Sequence, residues 1–499
     1  MTSPVVPRNK WLRPLLAAGA VLAVFAVAGI VLALRWNAAH CDGRAIARTD
    51  DNPGECVGVS DGGYLFTLGA SGEVPGLLEY QRLIAAENEA VTDPAYRTIA
   101  LVLPMPWAGR GVVSDEHIVH QLAGAYAAQV QANEGNNGAG TPKMKLYIAN
   151  IGHQGQAWRT VADQLLDRRK DDRITAVAGL GASLENTKRF ARVLSDAELP
   201  MVGSTITADD LNGRDFPHLY RVGPDNSDEV KVLLSFLATR DHDPKEQTYL
   251  AVAEDPADAY VRQLRSAFET SVKGYATRSF DPTALGWTEA VAAIAREVCS
   301  RADPVAVYFA ARSAHLRVFL VELGTACARP GRVTVLTGDD ASDLIDSTDP
   351  ALRAALRRGV FSLFMTALAH PDEWRDSPVR PAALKTLQDW IAGRAGHVGL
   401  DYRDGIAMMA YDAVSVTVRA IRSVAAAGSP PDRDSLVNGF SQITTGDPYC
   451  GASGPIAFAT EPGRRGDAVN KAVPIITLLP EAKVEFMDRR YPETPAQAC

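Results

Sequence analysis

ITAVAGLGASLENTKRFARVLSDAELPMVGSTIT, residues 174–207, holds the pattern from which the fold can be read. Its apolar run at 174–178 ends in the small-residue turn Gly179-Leu180-Gly181-Ala182-Ser183. A helix-period segment follows, then Pro200 and a second short apolar run closing in Gly203-Ser204-Thr205. That order describes a βαβ unit whose two strands both finish in glycine and hydroxyl residues. In open parallel sheets, ligands bind in the crevice beyond the carboxyl ends of the strands. Backbone N–H groups and a serine at a helix start supply an anion site there. Two adjacent strand ends of this kind predict a pocket for a small molecule carrying a carboxylate.

Outward from this unit the same alternation continues. Strand-like runs fall at 98–104, 145–151, 175–179, 201–204, 248–253, 305–309 and 333–337. Helix-period segments at 117–132, 157–169, 184–197, 229–240, 259–272, 288–300 and 313–327 follow them. Strands alternating with helices of this length predict parallel sheets covered on both faces, an α/β class. The rhythm breaks at YRVGPDNS (220–227), which ends one block of units and opens another. After a run at 359–364 the chain turns mainly helical (381–395, 406–427), and it returns to strand from 451 to 479. Two α/β lobes with chain crossings between them account for this better than one long sheet.

The chain has 499 residues, 46% hydrophobic and 22% charged, enough for two or three domains. Residues 1–40 carry Arg8, Lys10, Arg13 and Arg35 and no acid, so the rest is more acidic than the overall net charge of −8. An acidic body argues against nucleic acid as a partner, since phosphate binding needs a basic face. Residues 14–34 contain no charge and would span about 31 Å as a helix. Trp11 and Trp36 flank them, and the preceding basic residues place the N-terminus in the cytoplasm. The apolar stretch is longer than a signal-peptide core, and His40 stands where lipoprotein processing at Cys41 would want a small residue. An uncleaved anchor with an extracellular main domain is therefore expected. All six cysteines follow the span, in a compartment where disulfides persist. Their order suggests the local pairs Cys41–Cys56, Cys299–Cys327 and Cys450–Cys499 among the possible connectivities.

Motifs for bond chemistry are weak. Gly58-Val59-Ser60-Asp61-Gly62 matches the hydrolase GxSxG pattern, but it lies in a connector of turns ahead of the α/β body. Asp115, Glu116, His117 and His120 share a helix start without the further ligands a zinc site requires. Gly179-Leu180-Gly181 lacks the third glycine of a dinucleotide fingerprint. No enzyme activity, metal or cofactor is expected. What remains is the set of strand ends: Trp107, Ser183, Ser204 and Thr205 in the first block, then Tyr260, Arg312, Asp339 and Asp340 in the second. For Ser183 a helix N-cap is an equal claim.

Several segments, in order, carry a family resemblance: AVAGLGASLENT with LPMVGSTITADDL, HLYRVGPDNSDEV, AEDPADAY, VYFAARSAHLRVFLVELG with VLTGDD, GIAMMAYDAVSVTVRAI, and GASGPIAFATEPGRRGD. From 98 to 479 the chain resembles the solute-binding proteins of ABC importers with the type I periplasmic-binding fold, the branched-chain amino-acid group. Ahead of this region the residues themselves predict a cytoplasmic tip at 1–13, the anchor at 14–34 and a disulfide-stapled extracellular connector at 35–95. The resemblance implies lobe 1 from 96–223 plus 356–449, lobe 2 from 224–355 plus 450–485, and a tail at 486–499. It implies that Ser183, Ser204 and Thr205 hold a ligand carboxylate, that Asp340 or Asp339 pairs with its ammonium group, and that Tyr260 lies over the cleft. Arg312 stands where the family often has an aromatic residue, which implies an altered, more acidic ligand or a degenerate pocket. The implied partners are an amino acid or related small carboxylate and an ABC permease. A ligand-sensing ectodomain acting through another membrane protein is the alternative.

Overall fold

The computed structural model describes residues 41, 46–48, 54–69, 74–135, 141–240, 247–377, 380–394, 402–427 and 433–493. A first sheet contains β1 (Ile46–Arg48), β2 (Cys56–Ser60), β3 (Arg97–Leu103), β4 (Met144–Asn150), β5 (Ile174–Gly179), β6 (Met201–Gly203) and β7 (Leu219–Arg221). Its order is β1-β2-β4-β3-β5-β6-β7, with β3 to β7 parallel and β1 and β2 added antiparallel at one edge. Ile99, Leu101 and Leu103 of β3 face α1 (Leu77–Ala90) and α2 (Asp115–Glu134). Ala100 and Val102 face the other way, toward α3 (Trp158–Arg168) and α4 (Glu185–Asp196). Burial on both faces is why these strands read as unbroken apolar runs.

The second lobe begins with α5 (Asn226–Leu237), capped by Asp225, whose carboxylate accepts from Asp228 N at 2.8 Å. Its sheet is built from β8 (Gln247–Ala253), β9 (Ala276–Phe280), β10 (Val305–Ala310), β11 (Val333–Thr337) and β12 (Phe361–Thr366). The helices α6 (Ala259–Ser271), α7 (Trp287–Ser300), α8 (Ser313–Ala326) and α9 (Pro350–Arg358) cover it. The chain then returns to lobe 1 through α10 (Ala382–Arg394), α11 (Ile406–Ala426), α12 (Arg433–Ser441) and a hairpin of β13 (Tyr449–Gly451) and β14 (Gly454–Ile456). It ends in lobe 2 with β15 (Val473–Leu478) and β16 (Val484–Arg490), antiparallel at the far edge. The second sheet reads β16-β15-β12-β11-β10-β8-β9.

The chain therefore crosses between lobes three times, after β7, after β12 and before β15. Two boundaries differ from the expected ones. The second crossing follows Thr366 rather than 356, because β12 pairs with β11 and α9 packs on lobe 2. The third follows Phe458 rather than 450, because Ala452, Ile456 and Phe458 belong to the lobe 1 core. The segment before 95 is no mere connector, since β1, β2 and α1 complete lobe 1. β16 likewise carries ordered strand past 485, to Arg490. The crossings are knit by Arg221, buried and paired with Asp467 at 2.8 Å, and by Ser227, whose N and Oγ donate to Asp209 at 3.1 and 2.9 Å. Burial, then the Asp225 charge, pushes the Asp209 and Asp228 carboxyls each up to about 6.

Two expected disulfides are present, Cys41–Cys56 and Cys299–Cys327, with Cα separations of 5.6 and 4.9 Å. Cys450 is also disulfide-bonded, and its expected partner Cys499 lies outside the described residues. So does the expected anchor at 14–34. Among the described residues, no helix is long and apolar enough to cross a membrane.

Candidate functional site

The carboxyl ends of both parallel sheets face each other, and the lobes touch there. In lobe 1, β5 ends in Gly179, Leu180 and Gly181 with φ of 96°, 66° and 59°. A Cβ at Gly181 would fall 2.0 Å from Pro104 Cδ, so glycine is required for the close approach. This turn swings Ser183 toward the loop after β6, where its Oγ accepts from Thr207 N at 3.0 Å and Ala208 N at 3.1 Å. Ser183 is therefore not the N-cap of α4; Leu184 holds that position without a side-chain bond. Ser204 Oγ bonds Gln121 Oε1 at 2.9 Å and Gly179 O at 3.2 Å, and Thr205 Oγ1 donates to Gly181 O at 2.5 Å. Both hydroxyls are thus committed to holding the two turns together.

In lobe 2, Asp258 caps α6 by accepting from Val261 N at 3.3 Å. Arg312 precedes α8 and aims its guanidinium across the strand ends. Its Nε and Nη2 grip Asp258 at 2.6 and 2.8 Å, and its Nη1 bonds Asp340 Oδ1 at 2.8 Å. Ser313 N donates to the other Asp340 oxygen at 2.6 Å. The guanidinium lies 4.5 Å from the centre of the Tyr260 ring, a stacking distance for cation–π attraction. Burial alone would lower the Arg312 pKa; the Asp258 and Asp340 carboxylates reverse that and hold it well above its ordinary value. Tyr260 is buried, and its hydroxyl accepts from Asp340 N at 3.2 Å.

Asp339 stands between this group and Glu229 of α5, its side chain hydrogen-bonded to both Tyr260 and Glu229. Its N donates to Glu229 Oε2 at 3.1 Å, and Thr366, at the end of β12, donates to the same oxygen. Burial, then the Asp340 charge, pushes the Asp339 carboxyl up to about 7. Burial and the facing Asp339 raise Glu229 well above the usual range. Asp339 therefore links Tyr260 at the seam to Glu229 at the crossings.

The seam between lobes is closed by backbone. Tyr260 N donates to Ser183 O at 3.1 Å, Glu185 N donates to Ala257 O at 3.0 Å, and Leu184 bridges Asp258. Arg262 pairs with Glu185 beside them. On the opposite lip, Ser114 N and His117 Nδ1 meet Asp343 at 3.1 and 3.4 Å. His117 Nε2 lies 3.0 Å from Gln121 Nε2, so a continuous hydrogen-bonded chain runs from Asp343 through His117 and Gln121 to Ser204.

Of the residues singled out in the sequence, Ser183, Tyr260, Arg312 and Asp340 converge at one point of the seam, with Ser204 and Thr205 in the supporting turns. Trp107 does not join them. It packs on the edge segment, where a Cβ at Gly69 would sit 2.6 Å from its indole. Asp258, Gln121 and Asp343 were missed. Asp258 carried one visible signal, an acid directly before a helix-period run; nothing in the pattern marked the other two. His117 and His120 bind separate carboxylates, Asp343 and Asp404. Among the described residues no group of three or more His, Cys, Asp or Glu could hold a metal ion. Ser60 Oγ donates to Tyr64 O at 2.6 Å within its own turn, at the end of an antiparallel strand that no helix follows directly, unlike a nucleophile elbow.

No protein-family model matches the chain, and a comparison with curated proteins finds no match. Solved structures do match. The branched-chain amino acid transporter substrate-binding protein LivJ of Streptococcus pneumoniae, in complex with isoleucine, aligns with a TM-score of 0.59 at 14% identity, over 79% of this chain and 99% of that one. An ABC transporter substrate-binding protein of Desulfitobacterium hafniense, in complex with Leu, gives 0.59 at 17% identity, over 79% and 100%. An ABC transporter solute-binding protein of R. palustris, in complex with benzoate, gives 0.57 at 13% identity, over 81% and 98%. Two parallel-sheet lobes, three crossings and a seam at the strand ends thus make this chain a mixed α/β protein with the two-lobed fold of the type I periplasmic binding proteins.

Proposed function

We propose that this protein is an extracellular solute-binding protein, anchored by residues 14–34, that captures an amino acid or similar small carboxylate between its lobes for an ABC importer. The observation that carries the reading is the seam itself. Polar groups from both lobes converge at the carboxyl ends of two parallel sheets, and three crossings allow the lobes to part and close by hinge motion. No bond is made or broken. Binding energy would come from charge-assisted hydrogen bonds in a cleft that excludes water on closing.

The disulfides and the uncharged stretch at 14–34 support an extracellular, membrane-tethered location. A second reading, a ligand-sensing ectodomain acting through another membrane protein, is favoured by the direct contact of the lobes through Asp343 and Arg262. Thermal unfolding of the detergent-solubilised full chain, scanned against amino acids and small carboxylates, tests the proposal. A ligand-dependent rise in unfolding temperature is expected, and a flat response across the panel sinks it. Co-purification with a permease rather than a receptor or kinase separates transport from sensing.

A further inference from the structure

Two carboxylates and an aromatic face converge on one point of the seam: Asp258, Asp340 and Tyr260. That combination recognises a cation. Here the cation belongs to the chain. Granted the solute-binding reading above, we infer that Arg312 permanently fills the cation subsite of the cleft, so that the ligand is a small carboxylate without an ammonium group.

The bonding capacity of each group carries the inference. A guanidinium has five N–H donors. Arg312 directs Nε at Asp258 Oδ2, Nη2 at Asp258 Oδ1 and at Ser183 O (3.5 Å), and Nη1 at Asp340 Oδ1. Asp340 Oδ2 is taken by Ser313 N, and Asp258 Oδ1 also accepts from Val261 N. An α-ammonium group entering here would meet a like charge whose carboxylates are already engaged. Leaving it buried and unpaired, or stripping Arg312 of its partners, is costly.

The donors left over suit an anion. Ser183 Oγ accepts two backbone N–H groups, so both lone pairs are filled, and its hydrogen meets no acceptor among the described residues. One Nη1 hydrogen of Arg312 also meets no acceptor among the described residues. A carboxylate seated between Ser183 and Arg312 would take both. Discrimination of this kind is strong because the wrong ligand leaves polar groups unpaired, whereas a change in apolar bulk has a smaller effect.

L-leucine and 4-methyl-2-oxopentanoate share a carbon skeleton and differ at the amine, so they isolate the subsite. Titration calorimetry on the full chain in detergent, with benzoate as a second amine-free probe, is expected to show binding of the oxo acid or benzoate and leucine weaker by at least about tenfold. Arg312→Ser frees Asp258 and Asp340 and is expected to reverse the preference, binding leucine. Addition of methylguanidinium should then compete with leucine in the variant and leave the wild type unaffected.

Wild-type protein that binds leucine as tightly as the oxo acid overturns the inference while the solute-binding reading stands. Silence toward the whole carboxylate panel in both proteins overturns the two together. If Arg312→Ser does not fold, as judged by far-UV circular dichroism, the wild-type comparison decides alone.

Discussion

Asp258 holds the N-terminus of α6 and the Nε–Nη2 edge of Arg312 at once, so its loss should be felt in stability before any ligand is added. Asp258→Asn removes the charge and keeps the shape, leaving Arg312 with Asp340 alone. A loss of about 3 kcal/mol is expected, the low end for breaking a buried pair, read from the midpoint of denaturant unfolding. Ser183→Ala should cost about 1–3 kcal/mol, since it strands the Thr207 and Ala208 amides in a buried turn. At this scale the sequence was legible in part. Ser183, Tyr260, Arg312 and Asp340 each sit at a strand end and could be nominated by position. Their partners could not: the short helical turn Asp339–Leu344 brings Asp340 to Arg312 and Asp339 to Tyr260 and Glu229. Neighbours in sequence with different partners leave no periodic trace.

Among the elements, α2 and α11 meet at close range, two long buried helices in the core of lobe 1. Gly124 makes the approach possible, for a Cβ there would lie 2.0 Å from Ala407 O and 3.0 Å from Tyr411 N. Gly124→Ala improves helix propensity and nevertheless should destabilise by about 3 kcal/mol, because backbone atoms cannot yield as a side chain can. Calorimetric unfolding checks the sign. The same physics explains which elements could be seen beforehand. Strands buried on both faces, such as Ile174–Gly179, announce themselves as apolar runs. β9, ATRSF, is an edge strand with Thr277 and Ser279 outward, so it carries no such run and was not anticipated. β1, β7 and β16 are edge strands too, short or charged, which is how sheets avoid pairing with other chains. The lobe boundaries moved for a related reason: β12 declares its lobe by pairing with β11 and β15, and β14 by packing Ile456 into the lobe 1 core.

For the molecule as a whole, the junction of the lobes is rich in carboxyls whose pKa burial raises. Asp209 and Asp228 are pushed to about 6, Asp339 to about 7 and Glu373 to about 8, burial being the largest cause in each. An acid whose pKa is raised on folding is protonated in the fold where the unfolded chain has lost its proton. The stability it contributes is present at low pH and is lost as pH climbs through the folded value. The unfolding temperature should therefore fall between about pH 5 and pH 8, and Asp339→Asn should flatten that fall. A stability that rises across the same window in differential scanning fluorimetry refutes the assignment. Acids lowered by surface arginines, such as Glu297 at about 2, act below that window.

One staple has a mechanical meaning as well. Cys41 is tied to Cys56, the first residue of β2, and β2 is laced along β4 beside the seam. None of the three crossings intervenes between Cys41 and the first sheet. A pull on the chain ahead of Cys41 would thus be borne by the hydrogen-bonded ladder of lobe 1, loaded near the rim of the cleft. The hinge would feel no tension. On a tethered molecule, lobe 1 would act as the stator and lobe 2 as the part that swings, free of the drag of its own mooring.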